Sequence, residues 1–486
     1  MAVNVNRMQP KFFLDKSRVI AKLYRPREDE RVKNVLNRIM SFSESEVQSI
    51  LDKVIENFSH RHKNIWRIFD RNFNAIKHLI PEGVHLSDSR RALIGASFTN
   101  EYSIQAAAFF NPSIVPHFNQ HGLPDGSLRF ILSFRSTGEN HISSIEFRSG
   151  VIDENLSIKL DEVSRFAETP KVLKNPTYDK HTFLMKLKEM NCMDYHVNEV
   201  FSYLGDSFTL SELLASINLI QKREVSLTSA FEKTISDIKW LAESNYEIQF
   251  SFDQKLSERV IVPVSSNESN GIEDARFVKF VDDNGSVTYY ATYTAYNGKS
   301  ILPQLLETKD FLSFKMITLN GKSVKDKGMA LFPRKVNGKY MMISRIDGEQ
   351  LFIMESDNIH FWNEHKLLKK PEFPWEIMQI GNCGSPIETD EGWILLTHGV
   401  GPMRQYCIGA ILLDLEDPSK VIGVLEEPLL TPTEEEREGY VPNVVYSCGA
   451  LLHNDHLIIP YAMSDTNSGF ASVPVKELFD NFKMLK

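Results

Sequence analysis

The sequence predicts a mainly β protein, a five-bladed β-propeller carrying two added α-helical regions, and three observations predict it. Five β-rich segments share one pattern, each ending in polar or ionisable residues. Their ends fall 51 residues apart from Thr294 to Arg345 and 53 apart from Arg345 to His398, a length that suits one blade of several strands. Two stretches outside this pattern keep helical rather than alternating apolar spacing.

In chain order, residues 1–85 are assigned to the first helical region. Val32, Val35, Leu36, Ile39 and Met40 hold helical spacing. Ser43-Glu44-Ser45-Glu46 then reads as a capping box, in which the serine oxygen caps a free N–H and Glu46 reaches back. Val47, Ile50, Leu51, Val54, Ile55 and Phe58 follow on one face. Residues 86–160 form the first blade, with the segment Arg129-Phe-Ile-Leu-Ser-Phe-Arg135. Residues 161–245 form the helical insertion, opened in part by a second capping box, Thr209-Leu-Ser-Glu212, before Leu213, Leu214, Ile217 and Ile220. Such amphipathic helices are expected to pack on a neighbour or a second subunit.

Residues 246–486 hold the remaining blades. Their segments are Thr288-Tyr-Tyr-Ala-Thr-Tyr-Thr294, Lys339-Tyr-Met-Met-Ile-Ser-Arg345, Gly392-Trp-Ile-Leu-Leu-Thr-His398 and His456-Leu-Ile-Ile-Pro-Tyr-Ala462. Turn signals precede them at Asp283-Asn-Gly285, Asn337-Gly338, Asp390-Glu-Gly392 and Asn454-Asp455. Inner strands of a propeller surround one axis, so polar residues at their ends, here Arg135, Arg345, His398 and Asp465, converge on one pocket.

Composition narrows the function. A net charge of -9 disfavours nucleic acid or an anionic membrane as the main partner but leaves room for a local basic pocket. The four cysteines, Cys192, Cys383, Cys407 and Cys448, include no C-x-x-C pair, so neither a zinc ribbon nor a redox motif is written here. No Walker A and no G-x-G-x-x-G occurs. His60-Arg61-His62 lacks the spacing of a helical zinc pair and reads as a solvated helix face. Met1 to Asp15 has no apolar run of signal-peptide length and no stretch approaches a membrane span, so a cytoplasmic location is the expectation.

The motifs now carry a resemblance. Gly271-Ile-Glu-Asp-Ala-Arg276 followed by Tyr289-Tyr-Ala-Thr-Tyr-Thr-Ala-Tyr296 resembles the G-x-E-D-P-R…Y-T-A-Y signature of glycoside hydrolase family 130. Gly328-Met-Ala-Leu-Phe-Pro-Arg-Lys-Val-Asn-Gly-Lys-Tyr340 is similar to its L-F-P-x-K-x-N-G-K-Y, and Gly384-Ser-Pro-Ile-Glu-Thr-Asp-Glu-Gly-Trp393 with His398-Gly-Val400 to its P-I-x-T-x-x-G-W…H-G-V. Leu412-Leu-Asp-Leu-Glu-Asp-Pro-Ser-Lys-Val421, Glu436-Arg-Glu-Gly439, Val441-Pro-Asn-Val-Val445 and Tyr461-Ala-Met-Ser-Asp465 continue in family order. Phe110-Asn-Pro-Ser113 and Phe134-Arg135 resemble the first blade more faintly. Ala275 stands where proline is usual, which alters backbone stiffness and leaves the acid untouched. The two helical regions are similar to those of longer members, among them phosphorylases of β-1,2-linked oligomannosides.

The resemblance implies an inverting β-mannoside phosphorylase, with inorganic phosphate as co-substrate, no other cofactor and no metal. Phosphate is already a nucleophile, so phosphorolysis needs an acid and cations rather than a second carboxylate. The implied acid is Asp274, acting through the mannosyl 3-hydroxyl as a relay. The implied phosphate ligands are Lys327, Arg345 and His398, with Lys325 as the other lysine of that loop. Implied sugar contacts are Asn111, Arg135, Glu273, Arg276 and Asp465. Tyr293, Tyr296 and Tyr406 are candidates to line the pocket, with packing as the alternative. Two other readings stand beside this one. An inverting β-mannosidase would use Glu388 or Glu436 as its base, and a non-catalytic sugar-binding propeller would turn nothing over. The helical regions are candidates for self-association.

Overall fold

A computed structural model of the chain describes residues 3–173, 176–223 and 228–485. It is mainly β, and its larger sheets, of 11, 6, 5 and 4 strands, contain antiparallel four-stranded units. The first comprises Ala108–Pro116, Leu128–Thr137, Ser143–Ile152 and Ile158–Leu160. The second comprises Gly271–Val281, Val287–Tyr296, Ile301–Thr308 and Ser313–Thr318, with Tyr246–Gln249 added at its outer edge. The third runs Ala330–Leu331, Tyr340–Ser344, Leu351–Ser356 and Glu364–Lys369. The fourth runs Gln379–Asn382, Gly392–Val400, Tyr406–Leu413 and Val421–Val424. The fifth takes Val445–Tyr446, His456–Met463 and Asn467–Pro474, and completes itself with Asn6–Phe12 from the far end of the chain. A parallel contact of Gly271 with Ser143 joins the first two units into one larger sheet.

Each of the five repeated segments forms the second strand of its unit. The reason is burial on both faces, which calls for a continuous apolar run. Along Gly392–Val400, Trp393 and Leu395 point into the core shared with the third unit, while Ile394 and Leu396 point into the core shared with the fifth, as the two-residue period of a strand requires. The same division recurs between every neighbouring pair. Phe147 and Phe277 meet between units one and two, and Phe280, Met342 and Trp362 between two and three. Phe12, Phe109, Phe130 and Phe470 pack the fifth unit back against the first. Full burial of one such phenylalanine contributes about 1.5–3 kcal/mol.

The helical regions carry cores of their own. Helices α1 (Asp29–Ser41), α2 (Glu44–Phe58), α3 (Ile65–Ile76) and α4 (Asp88–Ser97) gather around Val32, Leu36, Val47, Phe73 and Leu93. The capping box at Ser43 and Glu46 is formed in both directions. Helices α3 and α4 cross so closely that a Cβ at Gly95 would lie 2.1 Å from the Phe69 carbonyl oxygen, so only glycine fits there. The His60-Arg61-His62 stretch is not a solvated helix face. It runs through the short 3-10 helix Ser59–Arg61 at the end of α2, where Arg61 and a buried His62 both grip Glu101, at 2.8 and 2.9 Å. The insertion holds α5 (Lys180–Glu189), α6 (Tyr195–Ser202), α7 (Leu210–Arg223) and α8 (Ser229–Ser244) around Phe183, Phe201, Phe208 and Ile238. The second capping box is present, with Thr209 N–H donating to Glu212 at 2.7 Å and Glu212 N–H to the Thr209 hydroxyl at 3.3 Å. Among the described residues no helix is long and apolar enough to cross a membrane.

Candidate active site

Two β-bulges aim the central polar groups. The register of the first unit slips between Phe110 and Ser113, and that of the second between Glu273 and Arg276. A bulge bends its strand and re-aims a side chain. Asn111 and Asp274 sit at these slips with left-handed backbones, φ 48° and 51°, a conformation that Asn and Asp tolerate better than most residues. The two side chains meet, Asn111 Nδ2 donating to Asp274 Oδ1 at 2.7 Å. Asp465 has φ 51° in the turn between His456–Met463 and Asn467–Pro474.

Arg135 organises this half of the site. It donates to Glu273 at 2.8 Å, to Asp274 at 3.3 Å and to the Ser143 hydroxyl at 2.9 Å, and its guanidinium lies 5.1 Å from the centre of the Phe110 ring. Lys327, 41% exposed, reaches Glu273 at 3.7 Å, so of the two lysines in its loop Lys327 is the one at the site. Arg276 is buried below. It donates to the backbone oxygen of Asp274 at 3.3 Å and to the Tyr446 hydroxyl.

The other half is basic and aromatic. Arg345 faces His398, Nη1 to Nε2 at 3.4 Å, and pairs with Asp326 at 3.3 Å. His398 lies parallel to Tyr406 at 5.9 Å and edge-on to Tyr446 at 5.0 Å. Its Nδ1 is buried without a partner among the described residues, and a polar atom left in that state is unusual unless something else satisfies it.

Charge joins the halves. Burial pushes the Asp274 carboxyl up, but Arg135, Arg276 and Lys327 outweigh it and hold the group below the usual carboxylate range. Burial raises Asp465, the charge of Asp274 raises it further, and it reaches about 7. Burial, then Arg345 and Arg276, hold His398 well below the usual imidazole value, so it is neutral near pH 7 and retains one N–H to donate.

Asn111, Arg135, Glu273, Asp274, Lys327, Arg345, His398, Tyr406 and Asp465 therefore come together. Three expectations are corrected. Tyr293 does not line the pocket: it is 2% exposed, in the core between the first two units, with its hydroxyl on Glu268 at 2.7 Å and Gln304 at 2.9 Å. Arg276 turns its guanidinium onto the protein and braces Asp274 rather than offering itself to a sugar. Neither carboxylate suggested as a base for hydrolysis is free. Glu388 is held by Nε and Nη2 of Arg334 on the surface, in the hairpin that leads into Gly392–Val400. Glu436 accepts from Arg7, Tyr461 and the Thr433 N–H. Sequence reasoning missed Tyr446 and Asp326. Only Asp326, an acid among lysines, left a signal.

A sequence profile of glycoside hydrolase family 130, described as beta-1,4-mannooligosaccharide phosphorylase, matches residues 229–484. The chain is 38% identical over 231 residues to a 1,2-beta-oligomannan phosphorylase of Thermoanaerobacter sp. (strain X514), covering 45% of this chain and 75% of the relative. It is 34% identical over 258 residues to a beta-1,2-mannobiose phosphorylase of the same organism, covering 50% and 80%. The solved structure of beta-1,2-mannobiose phosphorylase from Listeria innocua with beta-1,2-mannobiose aligns over 79% of this chain and 93% of that one, at 21% identity and a TM-score of 0.45. The match over just over half of the chain, with the first relative covered over three quarters of its length, places the chain in glycoside hydrolase family 130.

Proposed function

We propose that this protein is an inverting β-mannoside phosphorylase that cleaves β-linked manno-oligosaccharides, β-1,2 linkages above all, with inorganic phosphate to give α-mannose 1-phosphate. The observation that carries the reading is one site that gathers a partly buried carboxylate and three nitrogen groups. Asp274 is braced by Asn111 and Arg135, Lys327 reaches Glu273 beside it, and Arg345 and His398 face each other in the other half of the site. The carboxylates a water-activating mechanism would call on are engaged elsewhere by Arg334 and Arg7. The linkage preference draws on the β-1,2-specific names of the relatives. The five units, each packed on the next and the fifth on the first, support five blades around a common axis.

In the reaction a phosphate oxygen bonds to the anomeric carbon as the bond to the glycosidic oxygen breaks. The leaving oxygen takes the proton of the mannosyl 3-hydroxyl, which is replaced from Asp274. Free Asp274 is held ionised by its cations, whereas Asp465 keeps a proton to about pH 7. Dianionic phosphate beside Lys327 and Arg345 offsets those cations and raises the proton affinity of Asp274 when the acid is required. Arg345 supplies a planar fork for phosphate, and Lys327 a mobile point charge.

The test is product analysis on β-1,2- and β-1,4-mannobiose with and without phosphate, following the anomeric configuration by NMR. α-Mannose 1-phosphate formed only with phosphate, faster from the β-1,2 isomer, is expected. Free mannose released equally without phosphate would overturn the assignment of Lys327, Arg345 and His398.

A further inference from the structure

An exposed aromatic pair stands at the rim of the pocket. The hairpin that follows Arg135 turns through Gly138–Ile142, with Asn140 and His141 both left-handed, φ 57° and 59°. The His141 ring lies stacked on Tyr440 at 5.5 Å and 27°, and its Nδ1 is 3.1 Å from the Tyr440 hydroxyl. Tyr440 in turn is fixed to the turn that carries Asp465. Its N–H donates to the Thr466 hydroxyl at 2.7 Å, and the N–H of Val441 to the Ser464 carbonyl at 3.1 Å. Gly439 lies so close that a Cβ there would be 2.4 Å from the Ser464 oxygen. The pair thus straddles the two residues, Arg135 and Asp465, that flank Asp274 on this side.

Tyr440 is 54% exposed even though its backbone is fixed so firmly. An aromatic ring that gains little from burial, yet is held by a neighbouring ring and by the catalytic turn, is preorganised for something outside the protein. The adjoining loop adds Met403, 88% exposed at the tip of Pro402–Arg404, and is joined to the Tyr440 loop where Tyr406 N–H donates to Asn443 O at 2.9 Å. Exposed rings with hydrogen-bonding groups beside them suit the C–H face of a pyranose.

Resting on the phosphorylase reading, we infer that the His141–Tyr440 pair is the platform for the acceptor side of the chain, the mannosyl units beyond the bond being cleaved. The unit at Asp274 occupies the buried end of the pocket, so the rest of an oligosaccharide leaves across this rim. Tyr440 is then a specificity-determining residue for acceptor binding and has no part in the transfer of phosphate.

The reverse reaction separates these roles. With mannose 1-phosphate as donor and mannose or β-1,2-mannobiose as acceptor, Tyr440→Ala raises the acceptor KM about tenfold (a loss of one aromatic contact) and leaves the KM for mannose 1-phosphate unchanged. Tyr440→Phe, which keeps the ring and loses the bond to His141, retains the wild-type acceptor KM. An unmoved acceptor KM in Tyr440→Ala, or a loss confined to thermal stability, makes the pair a strut between the first and fifth units and overturns the platform alone. A wild-type enzyme forming no product from mannose 1-phosphate removes the phosphorylase reading and this inference with it.

Discussion

Asp274 and Asp465 show how two partly buried carboxylates in one site acquire opposite characters. Burial raises both, but Asp274 is surrounded by Arg135, Arg276 and Lys327, whereas Asp465 also feels the negative charge of Asp274. Replacing Asp274 by Asn keeps a residue that accepts the left-handed backbone, so the variant folds. Its kcat is expected to fall by about 10²–10⁴-fold for loss of the proposed proton donor, with phosphate affinity by calorimetry unchanged or tighter. Asp465 makes a prediction of its own. In the unfolded chain it ionises near 3.8 and in the folded protein near about 7, so the stability it contributes is complete below 3.8 and is lost as pH rises through about 7. Asp465→Asn is therefore expected to gain on the parent as pH rises from 4.5 to 8. Urea midpoints of the two proteins at both pH values measure this, and a difference that stays constant or shrinks with pH refutes it.

The strands explain what could be read in advance and what could not. Second strands are buried on both faces, so Gly392–Val400 and His456–Met463 are written around apolar runs, Trp393–Leu396 and Leu457–Met463, next to polar residues, and their repeat was legible. First strands were not: Ala330–Leu331 and Val445–Tyr446 are two residues long, which is why Tyr446 left no mark although it touches both Arg276 and His398. The bulges at Asn111 and Asp274 were equally silent, because a register slip has no composition. Tyr293 was misplaced for a related reason. Alternation along Val287–Tyr296 separates two faces, but both faces are buried and sequence does not say which one meets a pocket. Asn6–Phe12 could not be assigned to the fifth unit at all, since its partner lies more than 450 residues away. Strand-end placement does support a test at Arg345, which sits just beyond Tyr340–Ser344. Lysine there keeps the charge and loses the fork, so Arg345→Lys raises the KM for phosphate about tenfold and Arg345→Ala more, with the KM for mannobiose little altered. Equal effects on both substrates would mean that Arg345 serves the fold and not the phosphate.

At the scale of the molecule, the N-terminal addition must be fastened to the sheets it borders, and Arg18 is one of the fastenings. Its side chain is 1% exposed and reaches three separate parts of the chain. Nε donates to Glu146 of the first unit at 3.0 Å, Nη1 to the Ser164 carbonyl after that unit at 2.5 Å, and Nη2 to the Ser257 carbonyl before the second at 2.7 Å. Glu146 is fully buried, with Arg148 at 3.5 Å and Gln105 at 2.8 Å as its other partners. Removing one member of a buried ion pair leaves the other charged and desolvated, a loss of about 3–5 kcal/mol. Arg148 and Gln105 remain on Glu146, so Arg18→Ala is expected at the lower end of that range, about 3 kcal/mol. Two carbonyls on the segments flanking the helical insertion are uncoupled in the same step, so the damage should appear there first. Thermal melting should show an earlier transition, and limited proteolysis faster cutting near Ser164 and Ser257, while kcat/KM measured below the transition stays close to the parent value because no group touching Asp274 has changed. A variant that melts with the parent and resists the protease equally would show that the helical addition is held by its other contacts, Lys63 with Asp253 and Glu258 among them.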